Sequence, residues 1–545
     1  MTKMPSVMKH DFSMVPKVEI PRSVFNRNHA YKSTFDAGYI VPFFVDEALP
    51  GDSFTVKPTI FARLATPIAP LMDNLYLDVF FFAVPLRLVW DNFTKFMGER
   101  EDPVADYDND TEYLVPQVVA PAVTGFVVGT LSDYFGLPTG IPGISVSTLW
   151  HRAYNLIYNE WFRDQNLIDS AVVDKDDGPD SLTDYVLRRA GKRHDYFTSC
   201  LPWPQKGPGV ELPLGDSAPV TGLGKINQVF PSNGNVYETD GSAAVNYAAA
   251  ALTDGSSANA QFFVEQDPNN LGYPNVRADL SAASAATINS LRQAFQLQRL
   301  YERDARGGTR YQELVRSHFG VTSPDARLQR PEYLGGGSSA INIVAVQQNS
   351  ETTTGAGGSP LGTLAGIGTC INRGNGFVKS FTEHCVILGL MRVRADLTYQ
   401  QGIPRMFSRL TRWDFYWPGL CYIGEQAVLN QEIFATTTAV PGDAGDLANK
   451  GVFGYQERYA EYRYKPSVIT GKMRSTYATP LDMWHLSQEF ANLPTLDQTF
   501  IEENPPMDRI LAVTTEPHFI MDSYIECRCA RPMPVYSVPG LIDHF

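Results

Sequence analysis

Two stretches at opposite ends of the chain alternate apolar and polar residues with a period of two. Near the start, Phe54, Val56, Ile60, Ala62 and Leu64 interleave with Thr55, Lys57, Thr59 and Arg63. Near the end, Met521, Ser523, Ile525, Cys527 and Cys529 fall on one side of the run MDSYIECRCARPMPVY. A strand turns successive side chains to opposite faces, so this pattern suits a sheet with one face on a core and the other in water. Two further runs, LYLDVFFFAVPLRLVW (75–90) and HCVILGLMRVRADLTYQ (384–400), are longer and partly continuous in apolar residues. Such strands are covered on both faces for some of their length. Strands at both ends with a different middle predict a mainly β chain, a β-sandwich carrying large inter-strand insertions and few helices.

Five segments follow from composition and pattern. Residues 1–32 carry Lys3, Lys9, Lys17, Arg22, Arg27 and Lys32 against Asp11 and Glu19, and read as an extended basic arm. Residues 33–205 hold the first strands and one helix. In STLWHRAYNLIYNEWFRDQNL (147–167), Leu149, Ala153, Leu156, Ile157 and Trp161 share a side, which predicts an amphipathic helix. Residues 206–284 are rich in Gly, Ser, Ala, Pro and Asn, and Lys206, Lys225 and Arg277 are outnumbered there by acids. A loop this long is either functional or disordered. The expectation is a solvent-facing projection with a few aromatic residues, including Phe230, Tyr237 and Tyr247; the plainer alternative is a tolerated insertion. Residues 285–330 form an arginine-rich helix pair, and 331–545 return to strands, loops and a proline-rich tail.

In the helix pair Arg292, Arg299, Arg303 and Arg306 fall on one stripe, with Ala294, Leu297 and Tyr301 opposite and facing a core. Gly307-Gly308 ends the first helix. Thr309 opens the second, with Gln312 completing a capping box and Gly320 as its stop. These glycines punctuate helices; a phosphate cradle would place them directly after a strand.

The search for chemistry comes back nearly empty. The chain holds no Gly-x-Ser-x-Gly elbow, Walker loop, His-Glu-x-x-His or Cys-x-x-Cys. His194, Asp195, Ser199 and Cys200 lie close together, but triad members rarely come from one short run and nothing marks an oxyanion hole, so an ordered loop with a hydrogen-bonded His is expected. DYDND (106–110) begins like a calcium loop, yet Thr111 stands where glycine is needed and Gln117 where a bidentate Glu is needed. RWDFYWPG (412–419) offers aromatic rings suited to sugar or base stacking, with burial the expected fate. Six scattered cysteines make no disulfide framework and suit a reducing cytosol, and Cys527 and Cys529 are expected to be small core residues. MTKMPSVMKHDF lacks the apolar stretch of a secretory signal. Leu114–Leu131, the most lipid-like stretch, is broken by Pro116, Pro121 and Gly125 and reads as buried strand and loop. No catalytic residue, cofactor, metal site or membrane span is expected, which favours a structural protein.

Longer stretches carry a family resemblance. FNRNHAYKSTFDAGYIVPFFVDEALPGDSF, AYNLIYNEWFRDQNL, HDYFTSCLPWPQKG, ERDARGGTRYQELVRSHFGVTSPDARLQRPEYLGGGSS, VRADLTYQQG, FGYQERYAEYRYKPS and RPMPVYSVPGLIDHF resemble the major capsid protein of Microviridae, small single-stranded DNA phages, and best its gokushovirus branch. The resemblance covers nearly everything outside 206–284. It implies an eight-stranded antiparallel jelly-roll β-barrel with long insertions, copies closing into a T=1 icosahedral shell around circular single-stranded DNA, and no enzymatic role. It further implies a small basic DNA-packaging protein and a scaffolding protein as assembly partners, a host cell-surface receptor met by a three-fold protrusion at 206–284, and assembly in the bacterial cytoplasm.

On that reading, Lys3, Lys9, Lys17, Arg22 and Arg27 are expected to face DNA. Pro534, Tyr536 and Pro539 are expected to lie across a neighbouring subunit. The stripe Arg292, Arg299, Arg303 and Arg306 is partly neutralised by Glu302 within its own helix, which favours an interface between copies over contact with DNA. Two other readings stay open: a carbohydrate-active or carbohydrate-binding jelly-roll protein, which would need paired carboxylates at a cleft, and a free single-stranded DNA-binding protein, which would need a net basic domain. The formal charge of −14 weighs against the second.

Overall fold

The computed structural model of the chain describes residues 21–99, 113–210, 220–221, 277–278, 288–308, 310–322, 329–350, 361–437 and 444–536. The N-terminal region supplies β1 (Ser23–Asn26), β2 (His29–Phe35), β3 (Val41–Ala48), β4 (Ser53–Leu64) and β5 (Leu75–Pro85). The longer helices that follow are α1 (Leu149–Ile157), α2 (Ile288–Arg306) and α3 (Tyr311–Phe319). The C-terminal region supplies β6 (Glu332–Ala340), β7 (Asn342–Gln347), β8 (Leu364–Arg373), β9 (Phe377–Ser380), β10 (Cys385–Ala395), β11 (Glu425–Leu429), β12 (Val452–Glu457) and β13 (Phe519–Arg531).

The long strands build two antiparallel sheets. One runs β1–β13–β4–β8–β7, with β2 also on β13 and β9 also on β4; the other runs β6–β5–β10–β3. β13, the last strand, lies between strands from the opposite end of the chain: Met521 stands across from Ser33 on one side and Ala62 on the other. Pro58 has no N–H to give and sits in the middle of β4. The neighbouring ladder breaks beside it, passing from Arg373 opposite Thr59 to Phe377 opposite Val56, so the missing donor costs little.

The two sheets close on one core. Phe54, Val56 and Ile60 of β4 and Met521, Ile525, Cys527 and Cys529 of β13 meet Leu77, Val79 and Phe81 of β5 and Ile387, Met391 and Val393 of β10. Both cysteines of the Cys-x-Cys pair are buried there, as the alternation requires. The opposite face of the four-stranded sheet has its own cover. Phe82 and Val84 of β5 and Val386, Leu388 and Leu390 of β10 pack with Leu149, Ala153 and Ile157 of α1. Burial on both faces explains why β5 and β10 read as nearly continuous apolar runs. Gly389 leaves room for this closure: a Cβ there would lie 2.7 Å from Phe44 Cβ and 2.9 Å from Phe81 Cε1. A third cluster, with Tyr196, Phe197, Tyr399, Phe453 and Phe500, underlies the loops around the β11–β12 hairpin.

Several local expectations are corrected. The helix expected over 147–167 ends at Ile157 and passes into a π turn, Tyr158–Phe162. Its apolar side, Leu149, Ala153 and Ile157, packs on the sheet as the amphipathic pattern requires, and several polar residues of the other side are buried as well because they find partners inside. The Arg152 guanidinium donates Nε–H to Asp180 Oδ2 (2.7 Å) and Nη2–H to Asp180 Oδ1 (2.5 Å), and its Nη1 donates to the carbonyls of Asp176 (2.8 Å) and Val89 (3.1 Å). The Tyr185 hydroxyl also donates to Asp180. Leu114–Leu131 is mostly surface: Val118, Ala120 and Phe126 are buried, while Val123 and Val128 are exposed. The basic arm stops short of residue 32, since β1 and the start of β2 already belong to the larger sheet.

The chain divides into two compact units, Met1–Pro204 with Gly307–Phe545, and Gln205–Arg306. α2 belongs to the second; on the face expected to meet a core Ala294 and Tyr301 are half-buried and Leu297 is exposed, and Phe295 and Leu300, which lie off that face, are exposed too. α3 begins at Tyr311 with Arg310 in the capping position and no side-chain cap bond; Thr309 lies outside the described residues. Gly320 ends it in the left-handed conformation at φ 69°, where glycine is favoured.

The buried charge around Arg152 is testable by unfolding. Burial raises the Asp180 carboxyl, but the bonds from Arg152 and Tyr185 outweigh it and hold it below the ordinary carboxylate range. Arg152→Ala strands that carboxylate and should cost about 3–5 kcal/mol in urea unfolding at pH 7. A depressed folded pKa stabilises above the unfolded value near ~3.9 and is lost as pH falls through the folded one, so the deficit should narrow below about pH 4. The core cysteines offer a second test. Burial pushes the thiols of Cys370 and Cys527 to about 11 and that of Cys385 to about 12, and raises Cys200 and Cys529 as well. Native alkylation at pH 8 should modify Cys421 alone, the one cysteine that is not buried; denaturant should expose all six.

Candidate functional site

The residues that tempted a catalytic reading form a structural turn. Asp195 Oδ1 accepts the N–H groups of Phe197 (2.9 Å) and Thr198 (2.8 Å), and its Oδ2 accepts the Tyr399 hydroxyl (2.6 Å). Ser199 Oγ donates back to the Asp195 carbonyl and accepts from Gln456 Nε2. Cys200 is buried with its thiol pushed up, while His194 points into solvent. Asp195, and not His194, therefore organises this loop. The calcium-like run at 106–110 lies outside the described residues. Among the described residues no three His, Cys, Asp or Glu converge as a metal site, and no helix is long and apolar enough to cross a membrane.

A cleft of about 580 Å³ lies beside the turn after β2, with Asp36, Arg189, Asp508 and His518 in its wall. Its converging groups serve the backbone. Asp36 Oδ1 accepts from His518 N (3.0 Å), His518 Nδ1 accepts from Ala37 N (3.2 Å), and Arg189 Nη1 donates to the Glu503 carbonyl (3.1 Å). They join the two chain ends near β13, and Glu489 and Glu516 complete the acidic part of the cleft wall.

The sites expected on surfaces are placed as follows. Arg22 Nη2 donates to Ser53 Oγ (2.6 Å), and Arg27 Nη1 is paired with Asp46 (2.6 Å), so both flank β1 at the edge of the larger sheet. Lys3, Lys9 and Lys17 lie outside the described residues, as do Phe230, Tyr237, Tyr247 and Pro539. Arg292, Arg299, Arg303 and Arg306 are exposed on α2, where Glu302 is engaged by Gln298 Nε2 (3.0 Å). Past Arg531, whose Nε donates to buried Asp52 (3.0 Å), the chain leaves the sheet, and Pro534 and Tyr536 are exposed.

Two features escaped sequence reasoning. The outward face of the larger sheet carries Lys32, Lys57, Arg63, Arg373 and Arg528 against Asp522 and Glu526, around exposed Phe61 and Tyr524. Thr59 sits between Tyr524 and Arg373, a row assembled from three strands. The polar half of each alternation was the signal, but the cross-strand neighbours come only with register. The second feature is RWDFYWPG, where burial was expected. Trp413, Phe415, Tyr416 and Trp417 are all exposed; Trp413 lies on a short 3₁₀ turn, Arg412–Asp414, held by a Thr411–Asp414 capping box, and the others link it to a second, Pro418–Leu420. The Thr411 and Leu410 N–H groups hold the Asp414 carboxyl below its usual range.

What the chain presents is thus a closed core, no convergent chemistry among the described residues, and exposed apolar, aromatic and cationic surface. Comparison with known proteins agrees. A profile of the capsid protein (F protein) family matches residues 13–541. Capsid protein VP1 of Bdellovibrio phage phiMH2K is 47% identical over 98% of both chains. Capsid protein VP1 of Chlamydia phage 1 is 45% identical over 99% of both, and that of Spiroplasma virus 4 is 39% identical over 98% of this chain and 97% of its own. With a family match along almost its whole length and curated relatives that are all capsid proteins, the chain belongs to the capsid protein (F protein) family of structural capsid proteins.

Proposed function

We propose that copies of this chain close into a T=1 icosahedral shell around a circular single-stranded DNA genome, each copy folded as an eight-stranded jelly roll. The strand order carries the fold reading. Taking β2, β3, β4, β5, β6, β8, β10 and β13 as first to eighth, one sheet runs first–eighth–third–sixth and the other second–seventh–fourth–fifth. That wiring is the double Greek key expected of viral jelly rolls. The longest insertion, between β5 and β6, contains 206–284, which serves as a surface protrusion for host attachment through Phe230, Tyr237 and Tyr247. A small basic packaging protein and a scaffolding protein act during assembly in the host cytoplasm.

Genome contact falls to the basic N-terminal residues Lys3, Lys9, Lys17 and Arg22; Arg27 contributes less because Asp46 already holds it. The cationic outer face of the larger sheet, on a chain of charge −14, supports a nucleic acid lying to one side of the subunit. Arg292, Arg299, Arg303 and Arg306 meet carboxylates of a neighbouring copy, and Pro534, Tyr536 and Pro539 lie across its surface. The exposure of all four arginines along one side of α2 supports this, since guanidinium groups pair readily with carboxylates across an interface.

Charge removal separates the roles. Arg299→Gln with Arg303→Gln should lower shell yield several-fold by negative-stain microscopy, with or without DNA. Lys3, Lys9, Lys17 and Arg22 all changed to Gln should leave empty shells intact, reduce packaged DNA and flatten its salt dependence. Normal empty shells with poor packaging from the α2 variant would reverse the assignment.

A further inference from the structure

We propose that the aromatic–arginine surface formed by residues 403–424 and 458–464 is a contact between copies of this chain, seated on a protein face of a second copy. The proposal deepens the shell-forming reading and rests on it. Tyr422 is 93% exposed, Leu410 90% and Phe407 72%, and Trp413, Phe415 and Tyr416 are each about half exposed. Isolated exposed apolar residues need no explanation, but this many in one lobe mark an interaction site.

The surface is built and held. Tyr416 packs edge-on against Tyr459 (ring centroids 5.1 Å) and Tyr462 (6.0 Å), and its N–H donates to the Tyr462 hydroxyl (3.3 Å). Tyr459 is buried, and among the described residues it is the one non-glycine residue at positive φ, 64°. Backbone strain of that kind persists only where the surroundings enforce it. Arg409 lies over both Phe415 (5.4 Å) and Tyr462 (4.5 Å), and Arg412 lies against Trp413 (4.8 Å) and Trp417 (4.7 Å). The rings are thus fixed in position, so little ordering cost remains for a partner.

Charge and chemistry select the occupant. Arg405 is paired with Glu432, Arg409 with Glu461 and Arg463 with Glu457. Arg458 donates to the Trp413 carbonyl. Most of the guanidinium charge is therefore matched locally, whereas a single-stranded nucleic acid tracks a groove of free cations. The aliphatic members, Met406, Leu410 and Ile423, have no use for stacked bases. Trp, Tyr and Arg with aliphatic neighbours are the composition of protein–protein hot spots. Half a dozen large side chains, each offering on the order of 100 Å², approach the roughly 800 Å² per partner of a stable interface. A second copy is the partner that every subunit of a closed shell must meet over an area of that size.

The test uses the full chain with Leu410→Asp and Tyr422→Asp together, residues too exposed to carry the fold. The variant should keep the wild-type circular dichroism and melting temperature, lose at least ten-fold in shell yield by light scattering, and bind an oligothymidine strand as wild type does. Normal assembly overturns the proposal, as does weakened oligothymidine binding with assembly intact. Should the variant misfold, a photo-crosslinking benzoylphenylalanine at position 422 replaces it. Covalent chain–chain dimers are then expected, and their absence, or DNA adducts alone, overturns the proposal. Wild-type chain that forms no shell would sink the shell-forming reading separately, and the same cross-link in concentrated solution would still decide the surface.

Discussion

The larger sheet depends on one pairing. β13, thirteen residues long, forms ladders with β1 and β2 on one side and β4 on the other. Without it β4 would present an open edge to solvent, and the N-terminal strands would have no sheet to join. Its inward residues Met521, Ile525, Cys527 and Cys529 also form one wall of the main core. Partners separated by most of the chain make this a fold of high contact order, in which loop closure must be met before the pairing offsets it. The slow growth of that closure cost with length is also what allows large segments to be inserted between strands.

The second sheet is held in register by buried charge. Asp78 of β5 stands opposite Arg392 of β10, and its Oδ2 accepts from Arg394 (2.8 Å) and Arg392 (3.3 Å). Slipping the strands by one residue would leave these groups buried and unpaired, which costs far more than the pairs contribute. Arg152 has the same role in the next layer out, fixing α1 to the 176–185 loop over the outer face of that sheet. Apolar burial supplies the bulk of the driving force; the paired charges decide which arrangement is accepted.

Much of the scaffold was legible from periodicity. Alternation at 54–64 and 521–529 assigned inward and outward faces, and the partly continuous runs at 75–90 and 384–400 signalled cover on both sides for some of their length. The misses share one cause: a side chain whose partner lies far away in sequence. Nothing local in 147–167 marks Arg152 as buried, because its partner Asp180 lies in a later loop. Residues 23–32 read as an arm because their pairing partner lies some 500 residues later. RWDFYWPG reads as core because nothing in one chain's sequence separates rings buried by their own fold from rings left for a neighbour. The surfaces were legible as clusters of charge or aromatic residues, but their cross-strand composition, as around Phe61 and Tyr524, needs register.

The picture that results is a subunit with its own complete core and a surplus of surface for copies to cover. Hydrogen exchange, read by mass spectrometry on free chain and on assembled particles, tests it most directly. Peptides from β4, β5, β10 and β13 should be strongly protected in both states, while those from α2 and from residues 403–424 gain protection only in particles. Rapid exchange throughout β13 and β4 in the free chain, slowing only on assembly, would contradict the account, because the core would then belong to the shell and not to the subunit.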